Sequence, residues 1–342
     1  MKKEYKIQMP RGSLPVSSIG LVLLAAVLCL SVISVNLGPT TVPVWSVIKE
    51  LFSGNQTSMG LIFWQIRLPR VILAILAGAT LGLSGAAIQG LFRNPLAEPG
   101  IIGVSASASL GAVVVFYFGL YQIISWALPV GGLIGALVAV VLIYLLAGRE
   151  QRVLTLILAG VAVNAIAGSL VSLALNLAPN PYAALEIVFW LLGSLADRSF
   201  NHIVLVLPLM AVGWFLLVSG SRGLDALSLG EDTARSLGVD VNLLKLRIIL
   251  GTALSVGSIV SVTGGISFVG LIVPHLLRPL VGYEPSRLLF LSAIGGALLV
   301  LAADIVTRIL PTTQELQIGV VTAVIGGPFF LYLILATRRQ VS

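Results

Sequence analysis

Two arginines precede the second long apolar run of this 342-residue chain, in the stretch QIRLPRVILAIL. Arg67 and Arg70 have no acidic residue near them in the sequence, so the chemistry open to them is charge recognition. One interpretation is that both side chains snorkel to a membrane interface and end the span, since an arginine at the centre of a membrane helix costs about 2.5–3.5 kcal/mol. The other is that the charges serve a purpose unrelated to topology.

Three further residues are candidates for functional chemistry. Asp304, in LAADIVTRIL, is the ionisable residue expected to sit deepest in a span. An acid there indicates an ion-binding or proton-relay site, but Arg308, four residues later, offers a structural ion pair. Asn164, in LAGVAVNAIAG, either lines a polar pathway or hydrogen-bonds a neighbouring helix.

Motifs for covalent chemistry are missing from the sequence. A phosphate-binding loop needs a Gly-Lys pair, which occurs nowhere in the chain, and neither H-E-x-x-H nor G-x-S-x-G is present. His202 and His275 are the only histidines, too few for a histidine-based metal site. Cys29 is the single cysteine, so no intramolecular disulfide can form. We therefore expect no enzyme activity, no metal site and no bound cofactor.

The elements that position these residues are membrane spans. Hydrophobic residues make up 58% of the chain and charged residues 10%, against about a quarter charged in soluble domains. We predict an all-α integral membrane protein, a single transmembrane domain over 1–342, with a G-x-x-x-G pattern at Gly78 and Gly82 for close helix packing. The predicted transmembrane helices, about ten, are 17–37, 69–92, 97–118, 124–147, 153–175, 200–219, 244–264, 266–281, 288–309 and 314–336.

The basic residues predict the orientation. With the N-terminus in the cytoplasm, fifteen of the twenty Lys and Arg residues fall on the inner side, in agreement with the positive-inside rule, and the C-terminus is cytoplasmic too. Only five fall on the outer side: Lys49, Arg67, Arg70, Arg198 and Arg308. Arg67 and Arg70 are thus misplaced for topology alone.

A weak internal repeat relates two parts of the sequence, residues 67–95 and residues 245–274. Five predicted spans separate their starting points, so the second copy must enter the membrane from the opposite face. Inverted repeats of this kind are typical of transporters, whose pathway lies between the repeated elements. We predict repeat halves at about 66–176 and 243–336, which contain helices 2–5 and 7–10.

The connection between predicted spans six and seven, at about 220–243, is the longest charged stretch after the N-terminus. Ser228 and Glu231 fit a capping box, and Gly238 fits a left-handed helix stop. This pattern predicts a short cytoplasmic helix over about 229–237. Such a helix is either a solvated connector or a handle for a soluble partner.

These stretches together resemble the permease subunits of type II ATP-binding-cassette importers for iron-siderophores, haem and cobalamin. The match covers nearly the whole chain in order. The stretches that carry it are RLPR (67–70), SGAAIQGLFRNPLAEPGIIGVS (84–105), LAGVAVNA (158–165), FWLLGSL (189–195), LGEDTARSLGV (229–239), GGISFVGLIVPHLLR (264–278), ADIVTR (303–308) and ELQIGVVTAVIGGPFFLYLIL (315–335).

The resemblance implies a permease that works as a homodimer or close pair, with its pathway at the dimer axis. Two ATPase subunits, which bind the ATP and Mg, would dock on the cytoplasmic face. In such permeases the arginines matching Arg67, Arg70 and Arg308 receive acidic residues of an extracytoplasmic substrate-binding protein, because complementary charge steers and orients association. The residues implied in ATPase coupling are Gly230, Glu231, Ala234, Arg235 and Gly238.

The function implied by this resemblance is import of a metal chelate across the bacterial cytoplasmic (inner) membrane. A ferric siderophore is the first choice, with haem and cobalamin behind it. The chain would be a multi-pass protein in contact with membrane lipid, and no nucleic acid is expected as a partner. The residues alone leave a second hypothesis open, an ion-coupled secondary transporter with Asp304 as the coupling acid.

Overall fold

The computed structural model describes residues 15–38, 58–124, 126–148, 152–312 and 315–341, with side chains up to residue 335. The charges predicted for the N-terminal segment and at Lys49 lie outside these ranges. The long helices are α1 (Val16–Asn36), α2 (Ser58–Phe92), α5 (Ala127–Ala147), α6 (Val153–Asn176), α8 (Phe200–Ser219), α11 (Val241–Thr263), α13 (Pro285–Ile309) and α14 (Ile318–Val341). The shorter helices are α3 (Val104–Tyr117), α4 (Leu120–Ile123), α7 (Pro181–Leu191), α9 (Ser221–Ser228), α10 (Glu231–Ser236) and α12 (Val269–Leu277).

Eight helices in the described part of the chain are long and apolar enough to cross a membrane, and they match eight of the ten predicted spans. The third and eighth predicted spans are shorter than expected. Helix α3 has 14 residues, about 21 Å, against a hydrocarbon core of about 30 Å. Helices α3 and α12 each follow a non-helical stretch. A proline-containing turn precedes α3, and an irregular segment that begins at Gly264 (φ 70°) precedes α12.

Helices α2 and α13 form an antiparallel pair at the centre of the molecule. Gly78 lies against Gly296 and Gly82 against Ser292, so closely that an added Cβ at either α2 glycine would overlap the carbonyl oxygen opposite. The predicted close packing at the G-x-x-x-G pattern is therefore confirmed. Helix α11 is mostly buried and also packs against α2.

The two predicted repeat halves contain the same order of elements. A long buried helix (α2 or α11) is followed by a non-helical stretch, a short helix (α3 or α12) and two long helices, with the four-residue α4 as an addition in the first half. The bounds of the repeat halves, at about 66–176 and 243–336, stay a prediction. The opposite orientation of the halves in a membrane stays a prediction.

Candidate docking and coupling sites

The two sequence-predicted sites lie at opposite ends of the α-helical part of α2. The arginines stand at the start of its 25-residue α-helical part (Leu68–Phe92), which is about 36 Å long. At its other end, Gly90 packs against Leu224 of α9, and the Ser286 N–H at the start of α13 donates to the Asp225 carboxylate at 2.8 Å. A helix of that length separates the two faces of a membrane, as the predicted orientation requires.

The backbone around the arginines is unusual. Phe63–Arg67 form a π-helical turn inside α2, and Pro69, which has no N–H to donate, follows in the first turn of the α-helical part. π-Helical turns occur often at functional sites because they change the direction of a side chain. Here the turn ends at Arg67, and Arg70 follows three residues later.

Arg70 is paired with two acids that are remote in sequence. Its Nε donates to Asp304 Oδ1 at 2.9 Å and its Nη1 donates to Glu315 Oε2 at 3.2 Å, while its Nη2 contacts both carboxylates. Asp304 also lies 2.7 Å from Arg308 Nη2, the ion pair that the spacing of four residues predicted. We call the three arginines with Asp304 and Glu315 the arginine cluster.

The other two arginines of the cluster hold the end of α1. Arg308 Nη1 donates to the carbonyl oxygens of Ser34 at 2.9 Å and Leu37 at 3.3 Å, and Arg67 Nη1 donates to that of Val35 at 2.7 Å. Basic side chains stabilise the carbonyl groups left open at a helix C-terminus. Sequence reasoning missed this role, because nothing in the sequence relates α1 to these arginines.

The arginine cluster contains more basic than acidic side chains among the residues that the structure describes, and it borders a cavity. It consists of three guanidinium groups and two carboxylates. Its three arginines and Glu315 line a cavity of about 650 Å³, whereas Asp304 lies behind them and is only 1% exposed. Burial alone would raise the pKa of Glu315, but the hydrogen bond and the positive charge of Arg70 outweigh it and hold that pKa below its ordinary value. Glu315 is therefore ionised near neutral pH.

The coupling segment contains two helices where one was predicted. Helix α9 ends at Ser228, and α10 begins after Gly230, whose φ of 119° suits glycine. The predicted capping box is wrong. The Ser228 hydroxyl donates to the Asp225 carbonyl at 2.6 Å, and Ser228 and Glu231 belong to two different helices. Gly238 takes the predicted left-handed conformation (φ 86°).

Glu231 fastens α10 to the core. Its carboxylate accepts from Lys245 Nζ at 3.0 Å and from Arg235 at 2.9 Å, and Lys245 is fully buried in α11. Burial alone would raise the pKa of Glu231, but the hydrogen bonds from Lys245 and Arg235 outweigh it and lower that pKa. Ala234 is also fully buried, so its side chain holds α10 against the core and is not available for the predicted ATPase contact. The exposed surface of α10 is formed by the neighbours of Ala234.

Asn164 lies on an exposed face of α6, together with Gly168 and Ser172 one and two turns further along. A neighbouring face of α6, about a quarter of a turn away, packs inward through Leu156, Val163 and Ala167. The orientation of Asn164 therefore favours contact with something outside this subunit over a hydrogen bond to a neighbouring helix of the same chain.

The architecture just described has known relatives. The model of the FecCD transport family matches residues 23–336, which is most of the chain. The chain belongs to the FecCD transport family. This result confirms the resemblance to importer permeases.

Relatives of this FecCD chain are transport permeases. The hemin transport system permease protein HmuU of Yersinia pestis is 38% identical, with 85% of this chain and 88% of HmuU covered. The vitamin B12 import system permease protein BtuC of Salmonella typhi is also 38% identical, with 82% and 85% covered. A solved inward-facing structure of a metal-chelate type ABC transporter matches with a TM-score of 0.82 at 32% identity, covering 94% of this chain and 99% of the other. The FecCD chain is thus a multi-pass membrane protein of the ABC permease fold.

Proposed function

We propose that this chain is the membrane permease of an ATP-driven importer in the bacterial cytoplasmic membrane, with both termini in the cytoplasm. It receives its substrate from an extracytoplasmic binding protein, works beside a second copy of itself, and is driven by two ATPase subunits that bind the ATP and Mg. One observation carries the proposal: an arginine-rich cluster and a charged helical segment lie at opposite ends of one buried α-helical stretch, Leu68–Phe92.

The substrate that we propose is a metal chelate. HmuU and BtuC, which are equally similar to this chain, are named for hemin and for vitamin B12. Both compounds are metals held in a large organic ring, so metal chelation is their common chemistry. Within this class we propose a ferric siderophore, from the resemblance of the sequence, ahead of haem and cobalamin.

The arginine cluster is the proposed docking site for the binding protein, through Arg67, Arg70 and Arg308. Its arginine side chains and its cavity fit acidic side chains, and complementary charge orients a partner as it approaches. At the opposite end, the surface of the coupling segment is the proposed ATPase contact, through Gly230, Glu231, Arg235 and Gly238.

The proposed pathway lies at the interface between two copies of the chain and includes the face of α6 that carries Asn164. The polar side chain of Asn164 on the same exposed face as Gly168 and Ser172 supports this assignment, since a lipid-facing asparagine would be unfavourable.

Uptake into proteoliposomes tests the proposed function. We expect the chain, reconstituted with its cognate ATPase and binding protein, to accumulate ferric siderophore only when ATP is inside and the binding protein outside, with haem and cobalamin tested in parallel. Ionophores that collapse ion gradients should leave the rate unchanged. Gradient-driven uptake by the chain alone, without ATP, would instead establish the ion-coupled alternative.

The Glu231→Gln variant tests the coupling segment. Removing the carboxylate takes away the ionic hydrogen bonds that fasten α10 to Lys245, so a push on α10 should reach α11 less efficiently. We expect uptake to fall by about tenfold, as loss of charge-assisted hydrogen bonds predicts, with unchanged affinity for the binding protein. The matched control is Asp232→Asn, which removes an exposed carboxylate from the same turn. An equal loss in both variants would contradict the specific role of Glu231.

A further inference from the structure

We propose that Glu315 is an internal competitor for the docking site: it occupies Arg70 until an acidic side chain of the binding protein displaces it, and the displacement frees the segment that leads into α14. This inference rests on the docking role proposed for the arginine cluster.

The two acids that pair with Arg70 differ in a way that makes one of them exchangeable. Asp304 is 1% exposed and lies on α13, where the register with α2 fixes it against Arg70, and it also pairs with Arg308. Glu315 is 39% exposed and lies in the connection between α13 and α14. Ion pairs at exposed positions contribute little to stability and are readily replaced. Asp304 is therefore the permanent partner and Glu315 the replaceable one.

The geometry of Arg70 allows the replacement. Its Nε faces Asp304, while its Nη1 donates to Glu315 at the side of the cavity. Guanidinium groups bind carboxylates through two neighbouring N–H groups, so an incoming Asp or Glu side chain needs the nitrogen atoms that Glu315 now occupies. When Glu315 leaves, the partner's carboxylate restores the same charge balance around Arg70. The exchange therefore needs no unpaired buried charge.

Glu315 also ties the start of α14 to the core. Helix α14 begins three residues later, and its first N–H groups, those of Ile318 and Gly319, donate to the carbonyl oxygens of Gly193 and Leu192 at 3.0 Å each. The same turn borders a second cavity of about 450 Å³, between the end of α7 and the stretch before α12. Releasing Glu315 removes the ionic tie on one side of this turn, so docking at Arg70 is transmitted to α14.

A double-mutant cycle on the reconstituted transporter tests the exchange. The measured quantity is the dissociation constant of the cognate binding protein for the transporter in nanodiscs. We expect Glu315→Gln to tighten binding by about fivefold, the upper range for an exposed ion pair, and Arg70→Gln to weaken it. In the Arg70→Gln background the gain from Glu315→Gln should disappear, because both changes act on one interaction.

The control matches Glu315 in exposure and in charge. Glu284 is 40% exposed, pairs with Arg287 at 2.7 Å, and lies at the other end of α13. We expect Glu284→Gln to leave the dissociation constant unchanged. If the Arg70→Gln transporter does not assemble, Arg70→Lys replaces it in the cycle. Lysine keeps a positive charge beside Asp304 but lacks the two parallel N–H donors of the guanidinium group.

The possible outcomes separate this inference from the proposed function. If the Arg70 variant weakens docking but Glu315→Gln weakens it too or leaves it unchanged, the docking site stands and the exchange is wrong. If Glu315→Gln tightens binding equally with and without Arg70, the gain comes from a general electrostatic effect and the proposed exchange is wrong. If the Arg70 variant leaves docking unchanged, the docking role itself fails.

Discussion

Replacing Asp304 with asparagine is expected to lower the free energy of unfolding by about 3–5 kcal/mol, the usual result of removing one partner from a buried ion pair. Asp304 is the one carboxylate of the arginine cluster that contacts both Arg70 and Arg308, and it is 1% exposed. Without the Asp304 carboxylate, the largely buried guanidinium groups of Arg70 and Arg308 repel each other, and Glu315 is the remaining carboxylate of the cluster. Titration of the purified chain with SDS in mixed micelles measures the change.

Glu315→Gln is the matched control, since it removes a half-exposed acid from the same Arg70. An exposed pair contributes about 0.2–1 kcal/mol, so this variant should stay close to the parent chain. The comparison also addresses the ion-coupled alternative. A coupling acid would give an Asp304→Asn variant that is as stable as the parent but has lost gradient-driven transport, and that outcome would reject the structural role.

The large features of the fold follow directly from the sequence because membrane spans are specified locally. An apolar run about twenty residues long must be a helix in a membrane, since every backbone group has to be bonded within the segment. The eight long helices were therefore predictable, and the family resemblance added the likeness to known permeases. The short lengths of α3 and α12 were not predictable. They depend on how many residues the non-helical segments at Pro99 and Gly264 take from each span.

Patterns within a single stretch of sequence could not identify the acids that pair with Arg70. Asp304 is 234 residues after Arg70 and Glu315 is 245 residues after it. One sequence signal was nevertheless available. In the antiparallel pair, Gly78 meets Gly296 and Gly82 meets Ser292, and continuing that register by eight residues brings Arg70 to Asp304. Small residues at matched spacing in α2 and α13 therefore carry the information that pairs the charges.

This shared register leads to the prediction that a change at the glycines disrupts the distant charges. Replacing Gly82 with valine would place side-chain atoms on the Ser292 carbonyl, which is backbone and cannot rotate away. We expect α2 and α13 to separate, with a loss of about 3 kcal/mol in the free energy of unfolding, the upper range for overpacking. Since Arg70 and Asp304 lie on the two separated helices, binding-protein affinity should fall as well.

The control for stability is Gly168→Val in α6, a glycine with open space within the single chain where its side chain would be; transport is not compared in this variant, because Gly168 lies on the face proposed for the pathway. Valine also forms helices slightly better than glycine, so this variant should unfold at least as late as the parent chain in the same SDS titration. The decisive comparison is between stability and docking in Gly82→Val. A variant that unfolds early yet still binds the partner with parental affinity would mean that Arg70 and Asp304 are positioned independently of the glycine contact, and that the register of α2 and α13 does not determine their pairing.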